Sequence, residues 1–251
     1  MIQFENVVKK YGEHYVLNHV DLEVDGGDFV TLVGPSGAGK STLLHALIGD
    51  LKIDSGSILV DGYEITRFKE AALQEFRRKV GMVFQDYKLL PNKTVYENVA
   101  FALEVCGEAE ENIRERVYEV LDLVGMLDHE GKFPRQLAGG EGQRTAIARA
   151  MVHNPRLLIA DEPTGNLDYW NSQEILKLLL QISEGGATVL LATHNRDLVD
   201  QLGRRVVVLN EGKIVADREQ SGYEISMEAP DAAPEVTPSA ILGDIEFFEI
   251  H

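Results

Sequence analysis

Phe29-Val30-Thr31-Leu32-Val33 runs without a break into Gly34-Pro35-Ser36-Gly37-Ala38-Gly39-Lys40-Ser41-Thr42, and this stretch decides the fold. A short apolar run closed by glycine reads as a buried strand feeding a turn. The turn matches G-x-x-x-x-G-K-[ST], and from Ser41 to Ile48 the residues Leu43, Leu44, Leu47 and Ile48 fall on helical spacing. A strand, a glycine-rich loop and a helix in that order make a cradle for phosphate. Glycines let successive backbone N–H groups converge on phosphate oxygens, and the helix adds its positive end. Residues Gly34, Pro35, Ser36, Gly37, Ala38, Gly39, Lys40, Ser41 and Thr42 are therefore candidate ligands of a nucleoside triphosphate. Lys40 is expected to neutralise the β- and γ-phosphates, and the Ser41 hydroxyl to ligate Mg²⁺.

Such a loop needs carboxylates opposite it, to hold the metal shell and to activate water. Leu157-Leu158-Ile159-Ala160-Asp161-Glu162 supplies them, as a buried strand delivering two acids at its carboxyl end, where ligands bind in α/β folds. Asp161 is the candidate for the Mg²⁺ shell, and Glu162 the candidate general base for water attacking the γ-phosphate.

Outward from these two segments, short apolar runs alternate with helical patterns, which predicts an α/β core with a largely parallel sheet. Val20 to Val24 alternates as a half-buried strand does, and Gly56 to Val60 before Asp61-Gly62 reads as a strand closed by a hairpin turn. Further strands are expected at Leu157 to Ala160 and Val189 to Ala192, with a helix at Glu174 to Ile182 between them. A terminal hairpin is expected from Arg205 to Leu209 through Asn210-Glu211-Gly212 to Lys213–Val215. Pro91 to Val124 is rich in helix formers and predicts a helical insert, whose full extent is placed at about 87–150. Composition changes near Gly222. Residues 224–251 hold seven acids, no Lys or Arg, and three of the eight prolines. This predicts a folded unit over 1–222 and an acidic disordered tail over 223–251, whose end, Ile245-Glu246-Phe247-Phe248-Glu249-Ile250, could still dock as a short strand or helix.

Charge excludes several function classes. In 251 residues, 41 Asp and Glu against 24 Lys and Arg give a formal net charge of -17. General nucleic-acid binding neutralises phosphates with basic side chains, so it is not expected here. Adhesion to anionic lipid is disfavoured for the same reason. The longest strictly apolar run, Val99 to Leu103, is far short of the roughly 20 residues of a membrane helix, so no direct membrane insertion is expected. The first residues show no secretory signal pattern. A single cysteine, Cys106, rules out an internal disulfide framework. A cytoplasmic protein is expected.

Smaller motifs narrow the reaction. Leu137-Ala138-Gly139-Gly140-Glu141 precedes Gly142-Gln143-Arg144 and a helical run from Thr145 to Val152, shortly before the carboxylate strand. Gln85 follows Val83-Phe84, Gly165-Asn166-Leu167-Asp168 follows the carboxylates, His194 follows Val189 to Thr193, and Tyr11-Gly12 stands near the start. Order and spacing together resemble the ATP-binding-cassette (ABC) ATPases. That resemblance implies a P-loop NTPase of the ABC type, with a RecA-like parallel core, an N-terminal antiparallel β-subdomain and a helical subdomain. It implies that Tyr11 stacks on adenine, and that Gln85 is the Q-loop residue, a Mg²⁺ ligand and a catalytic residue. It makes Ala138, Gly139, Gly140 and Glu141 the signature, Asp168 part of the D-loop, and His194 the switch histidine. It further implies a head-to-tail homodimer around two ATP molecules, each site pairing one phosphate loop with the other copy's Gly139 and Gly140.

Met82 to Val105 resembles, within this family, the bacterial cell-division ATPases of the FtsE type. Their partner is an FtsX-like integral membrane protein, and the pair controls peptidoglycan hydrolases. That implies a peripheral position at the inner face of the cell membrane, with docking near Gln85, Tyr87, Leu89, Leu90 and Val95. The same core motifs are shared with lipoprotein-release and macrolide exporters, and an ATP-dependent dimerisation switch with little hydrolysis is a further alternative. The chain departs from the family pattern at three places. Ala138 stands where Ser is usual, Gly142 where Gln is usual, and Tyr169-Trp170 where Pro often opens the next helix. Losing the serine hydroxyl predicts an ATPase that is weak without its partner.

Overall fold

The computed structural model describes residues 1–219, with side chains at all of them except 196–198. In chain order the elements begin with the hairpin β1 (Ile2–Tyr11) and β2 (His14–Val24), then β3 (Phe29–Val33) and α1 (Lys40–Leu47). Next come β4 (Ser55–Val60), β5 (Tyr63–Glu64), α2 (Glu70–Arg77) and β6 (Val80–Val83). Three helices follow, α3 (Val95–Cys106), α4 (Glu110–Leu123) and α5 (Gly139–Met151). The chain then returns through β7 (Leu157–Asp161), α6 (Tyr169–Glu184), β8 (Thr188–Thr193), α7 (Arg196–Leu202), β9 (Arg205–Asn210) and β10 (Lys213–Arg218).

Every residue of β3, β7 and β8 is buried, as a parallel strand covered on both faces requires. They lie in a six-stranded sheet of order β10-β9-β3-β8-β7-β6, parallel throughout except for β10. A second sheet, β2-β1-β4-β5, is antiparallel. Because strand side chains alternate, each buried strand feeds two cores. Leu158, Ala160, Val189 and Leu191 face helices α3 to α6. Leu157, Ile159, Leu190 and Ala192 face α1 and the antiparallel sheet.

The strand and helix expectations hold in kind, with some shifts of boundary. The signature helix begins at Gly139 rather than Thr145, and β1, α2, β6 and α7 are additional elements. The boundary at 222 and the acidic tail 223–251 lie outside the described residues. Among the described residues no helix is long and apolar enough to cross a membrane.

One expectation is overturned. Val95 is the first residue of α3, held by a capping box in which the Thr94 hydroxyl accepts from the Glu97 N–H and the Glu97 carboxylate accepts from the Thr94 N–H. That cap turns Val95 inward, where it is fully buried among the helices. It packs the core and offers no surface to a partner.

Topology positions the site. The neighbouring parallel strands β3, β8, β7 and β6 end at one edge of the sheet, and each delivers a candidate residue there: the loop from Gly34, His194, Asp161 with Glu162, and Gln85.

Candidate functional site

Gly39 caps α1 in a left-handed conformation, φ 104°, and a Cβ there would lie 2.5 Å from the Val16 carbonyl oxygen. Only glycine fits, and the chain can then turn sharply enough to start α1 at Lys40. Lys40 is buried, and its Nζ donates to the carbonyls of Gly34 (2.9 Å) and Pro35 (3.3 Å). The ammonium is thus stretched back along the loop it serves. The Ser41 hydroxyl donates to Asp161 Oδ1 at 3.0 Å, joining α1 to the end of β7.

Asp161 is nearly buried, and that burial, aided by the neighbouring Glu162 charge, pushes its carboxyl above the usual range, against the opposing pull of Ser41, His45 and Lys40. A hydroxyl and one buried carboxylate suit a cation that keeps most of its water and takes phosphate oxygens, as Mg²⁺ does. Among the described residues no cluster of three His, Cys, Asp or Glu forms an all-protein cage.

Glu162 breaks from β7 with φ 48°, a left-handed conformation unusual for a side chain of this size. Its N–H donates to the Ala192 carbonyl at 2.9 Å. The turn aims its carboxylate at two groups. Oε1 lies 2.9 Å from His194 Nδ1 and 3.6 Å from Lys40 Nζ, and Oε2 accepts from the His194 N–H at 3.3 Å. Lys40, Ser41, Asp161, Glu162 and His194 are therefore brought together within one chain.

Ala138 to Glu141 gather elsewhere. Ala138 caps α5 without a side-chain acceptor, so only half of a capping box exists: the Glu141 carboxylate accepts from the Ala138 N–H at 2.9 Å. That bond, with the nearby His129 and Lys132, holds the Glu141 carboxyl below its ordinary value. Gly139 stands against Tyr87, Leu167 and Asn166, and Asn171 occupies the space a Gly140 Cβ would need. Among the described residues no hydrogen bond or ion pair links residues 138–141 to the phosphate loop.

Gln85 is exposed; its amide lies beside Gly165, and its carbonyl accepts from Asn166 Nδ2 at 3.2 Å. Beyond it, Tyr87 and Lys88 are both left-handed, φ 56° and 49°. Arg149 of α5 holds this strained turn by donating to the Tyr87 carbonyl (2.8 Å) and the Lys88 carbonyl (2.7 Å). The Tyr87 ring lies on Gly142, where an added Cβ would be 3.1 Å from it. Glycine at 142, unexplained by sequence alone, makes room for that ring. Tyr87 is accordingly an internal link between the loop and α5 as well as a half-exposed surface residue. Leu89 and Leu90 are half-buried, and Asn98, fully buried, ties down the following turn through Leu90, Lys93 and Thr94.

Tyr11 is 59% exposed at the tip of the β1–β2 hairpin, while the cleft bordering Pro35 to Ala38 is walled by Glu13, His14 and Tyr15 of the same hairpin. Asp168 caps α6 by accepting from the Asn171 N–H at 2.9 Å. Sequence reasoning missed Arg149, Asn171 and His45. The position of His45, one turn beyond Ser41 on α1, was the available signal for the last.

Comparison with known proteins agrees with this geometry. A family model described as ABC transporter matches residues 17–165. The cell division ATP-binding protein FtsE of Streptococcus pneumoniae serotype 2 is 51% identical over 89% of this chain and 97% of its own length. The FtsE of Bacillus subtilis is 47% identical over 89% of this chain and 98% of its own. A bacterial ABC transporter cassette solved as a dimer superposes with a TM-score of 0.81 at 35% identity, over 89% of this chain and 100% of that one. The same cassette solved in a post-hydrolysis state with ADP and Pi superposes equally well at 34% identity. A chain with this loop, these carboxylates and these relatives belongs to the ABC transporter family and is an ATPase of that family.

Proposed function

We propose that this ATPase closes head to tail with a second copy around Mg-ATP and works on an FtsX-like integral membrane protein, so controlling peptidoglycan hydrolysis during cell division. The observation that carries the catalytic part is the position of the Glu162 carboxylate, fixed between His194 and Lys40 at the mouth of the phosphate loop.

ATP is the substrate. Backbone N–H groups of the loop and the Lys40 ammonium orient its phosphates. Ser41 and Asp161 would hold Mg²⁺, with Gln85 a further candidate ligand; when bound, the ion would neutralise phosphate charge. Glu162 accepts the proton of a water whose oxygen bonds to the γ-phosphorus. The bond to the bridging oxygen breaks, and ADP leaves with the electron pair. His194 keeps Glu162 aimed through its Nδ1 and backbone N–H. The second copy supplies Gly139 and Gly140, whose helix N-terminus and lack of side chains suit a close approach to the γ-phosphate.

FtsE proteins at 43–51% identity support the cell-division role over an exporter role. The acidic chain gives no electrostatic grip on anionic lipid, so a protein partner would hold it at the inner face of the membrane. Docking would use the segment near Gln85, Leu89 and Leu90, and the Tyr87–Gly142 contact would carry the displacement into α5. Detergent extraction with the tagged chain tests the reading. Recovery of an FtsX-like protein is expected; recovery of a multi-span exporter in its place would overturn the division role.

A further inference from the structure

We propose that Tyr169 and Trp170 form an aromatic anchor for a second copy of this chain, extending the surface that completes the nucleotide site. The inference rests on the head-to-tail reading above and names a contact that reading does not contain. Trp170 is 78% exposed and Tyr169 56% exposed. Their rings meet edge to face, 5.6 Å between centroids at 77°, so they form one apolar feature.

The inward face of α6 is provided by Ser172, Ile175, Leu176, Leu178, Leu179 and Ile182. Packing therefore accounts for that face, and among the described residues each ring of the aromatic pair has only the other as a ring partner. Position says what covers it. Asp168, directly before the pair, caps the helix through the Asn171 N–H, and the Asn171 side chain, directly after it, fills the space beside Gly140. Leu167 lies against Gly139, and Arg144 of α5 pairs with Glu174 of α6 at 3.8 Å. The start of α6 and the start of α5 are thus one block. Gly139 and Gly140 on that block await a triphosphate held by another chain, so the chain that brings it must also pass over the neighbouring residues. Trp and Tyr are the residues that most often anchor such contacts. Two chains of net charge -17 repel one another. An apolar anchor adds attraction without adding like charge.

Trp170 is the only tryptophan, so its emission reports on this contact directly. The experiment uses the full chain carrying Glu162→Gln, in which bound ATP is expected to persist, and reads sedimentation and tryptophan fluorescence together as Mg-ATP is added. Dimer formation accompanied by a shift to shorter wavelength and a severalfold loss of acrylamide quenching is expected. Adding Trp170→Ser should weaken dimerisation at least tenfold while leaving the melting temperature and the monomer's ATP binding unchanged. Dimers that form with emission and quenching unaltered, or equally well with Trp170→Ser, would overturn the anchor alone. A spectral shift that appears only with the membrane partner would assign the pair to that partner instead. No dimer by sedimentation would overturn the head-to-tail reading itself, and the anchor with it.

Discussion

At the carboxyl edge of the parallel sheet, Lys40, Ser41, Asp161, Glu162 and His194 meet one another through contacts of 2.9 to 3.6 Å. At the start of α5, Ala138, Gly139 and Gly140 lie against Glu141, Gly142, Tyr87, Asn166, Leu167 and Asn171. The first region is held together within the chain: Glu162 lies between Lys40 and His194, and Asp161 accepts from the Ser41 hydroxyl. The second is a helix start of two glycines packed against Asn171, Leu167 and Tyr87, and α5 is joined by Tyr87 and Arg149 to the loop that follows β6. The contrast teaches that chemistry and control are separated. On the proposed head-to-tail reading, one copy carries the means of cleavage and the platform belongs to the site of the second copy.

The contrast breaks most visibly at Glu162. Glu162→Gln removes the proton acceptor and keeps the shape, so single-turnover ATP cleavage should fall by about 10²–10⁴-fold, with ATP binding retained. Equal cleavage by both proteins in rapid quench would remove Glu162 from the role of base. On the platform side, Ala138→Ser restores a hydroxyl that can cap α5 and reach a γ-phosphate. With the partner present, turnover should rise by roughly 10- to 100-fold, and helix capping should add about 1 kcal/mol of stability. A gain in melting temperature with unchanged turnover would confine Ala138 to a capping role.

The link between the regions is sharpened by Gly142→Gln, whose side chain would displace the Tyr87 ring. Stimulation of turnover by the partner should drop about tenfold, at a stability cost of about 1–3 kcal/mol. Tyr87→Ala should be no worse when combined with it than alone, because both changes remove one contact. Additive losses would mean that the ring and the glycine act separately. The smallest effect concerns His153, in the loop between α5 and β7. Its ring is lowered in pKa, mainly by burial and also by Arg116, against a backbone hydrogen bond to Val80 that raises it. A half-buried neutral histidine must gain a proton on unfolding in acid. Its contribution therefore favours the fold above the unfolded-state value and is lost as pH falls from there through the lowered folded-state value. Thermal stability should decline on acidification below neutrality, and His153→Gln should flatten that slope.

The first region was legible in the sequence because its signals are local. A buried run ending in glycines, and another ending in two acids, announce themselves within a few residues of chain. The parallel order of β3, β8, β7 and β6 then brings them together. The second region was legible only as a motif. Tyr87 on Gly142, Asn171 against Gly140 and Arg149 on two carbonyls join residues far apart in the chain, and no periodicity reports such pairs. Val95 misled for a related reason: an apolar residue beside a docking segment reads alike whether it faces out or in, and the Thr94 cap decides that it faces in. Helix α2 was missed because it buries no residue. It is tied down by Phe76, partly buried against the core, and by Arg77 donating to the carbonyls of Ile48 and Gly49.

The separation of the two regions is tested most directly by mixing two inactive variants, Lys40→Ala and Gly139→Asp, each folded by its melting profile. If each site pairs one copy's phosphate loop with the other copy's platform, a mixed dimer holds one intact site. For random pairing in a twofold dimer, ATPase activity should return to about a quarter of the unaltered protein's. A mixture no more active than its two components would contradict the account.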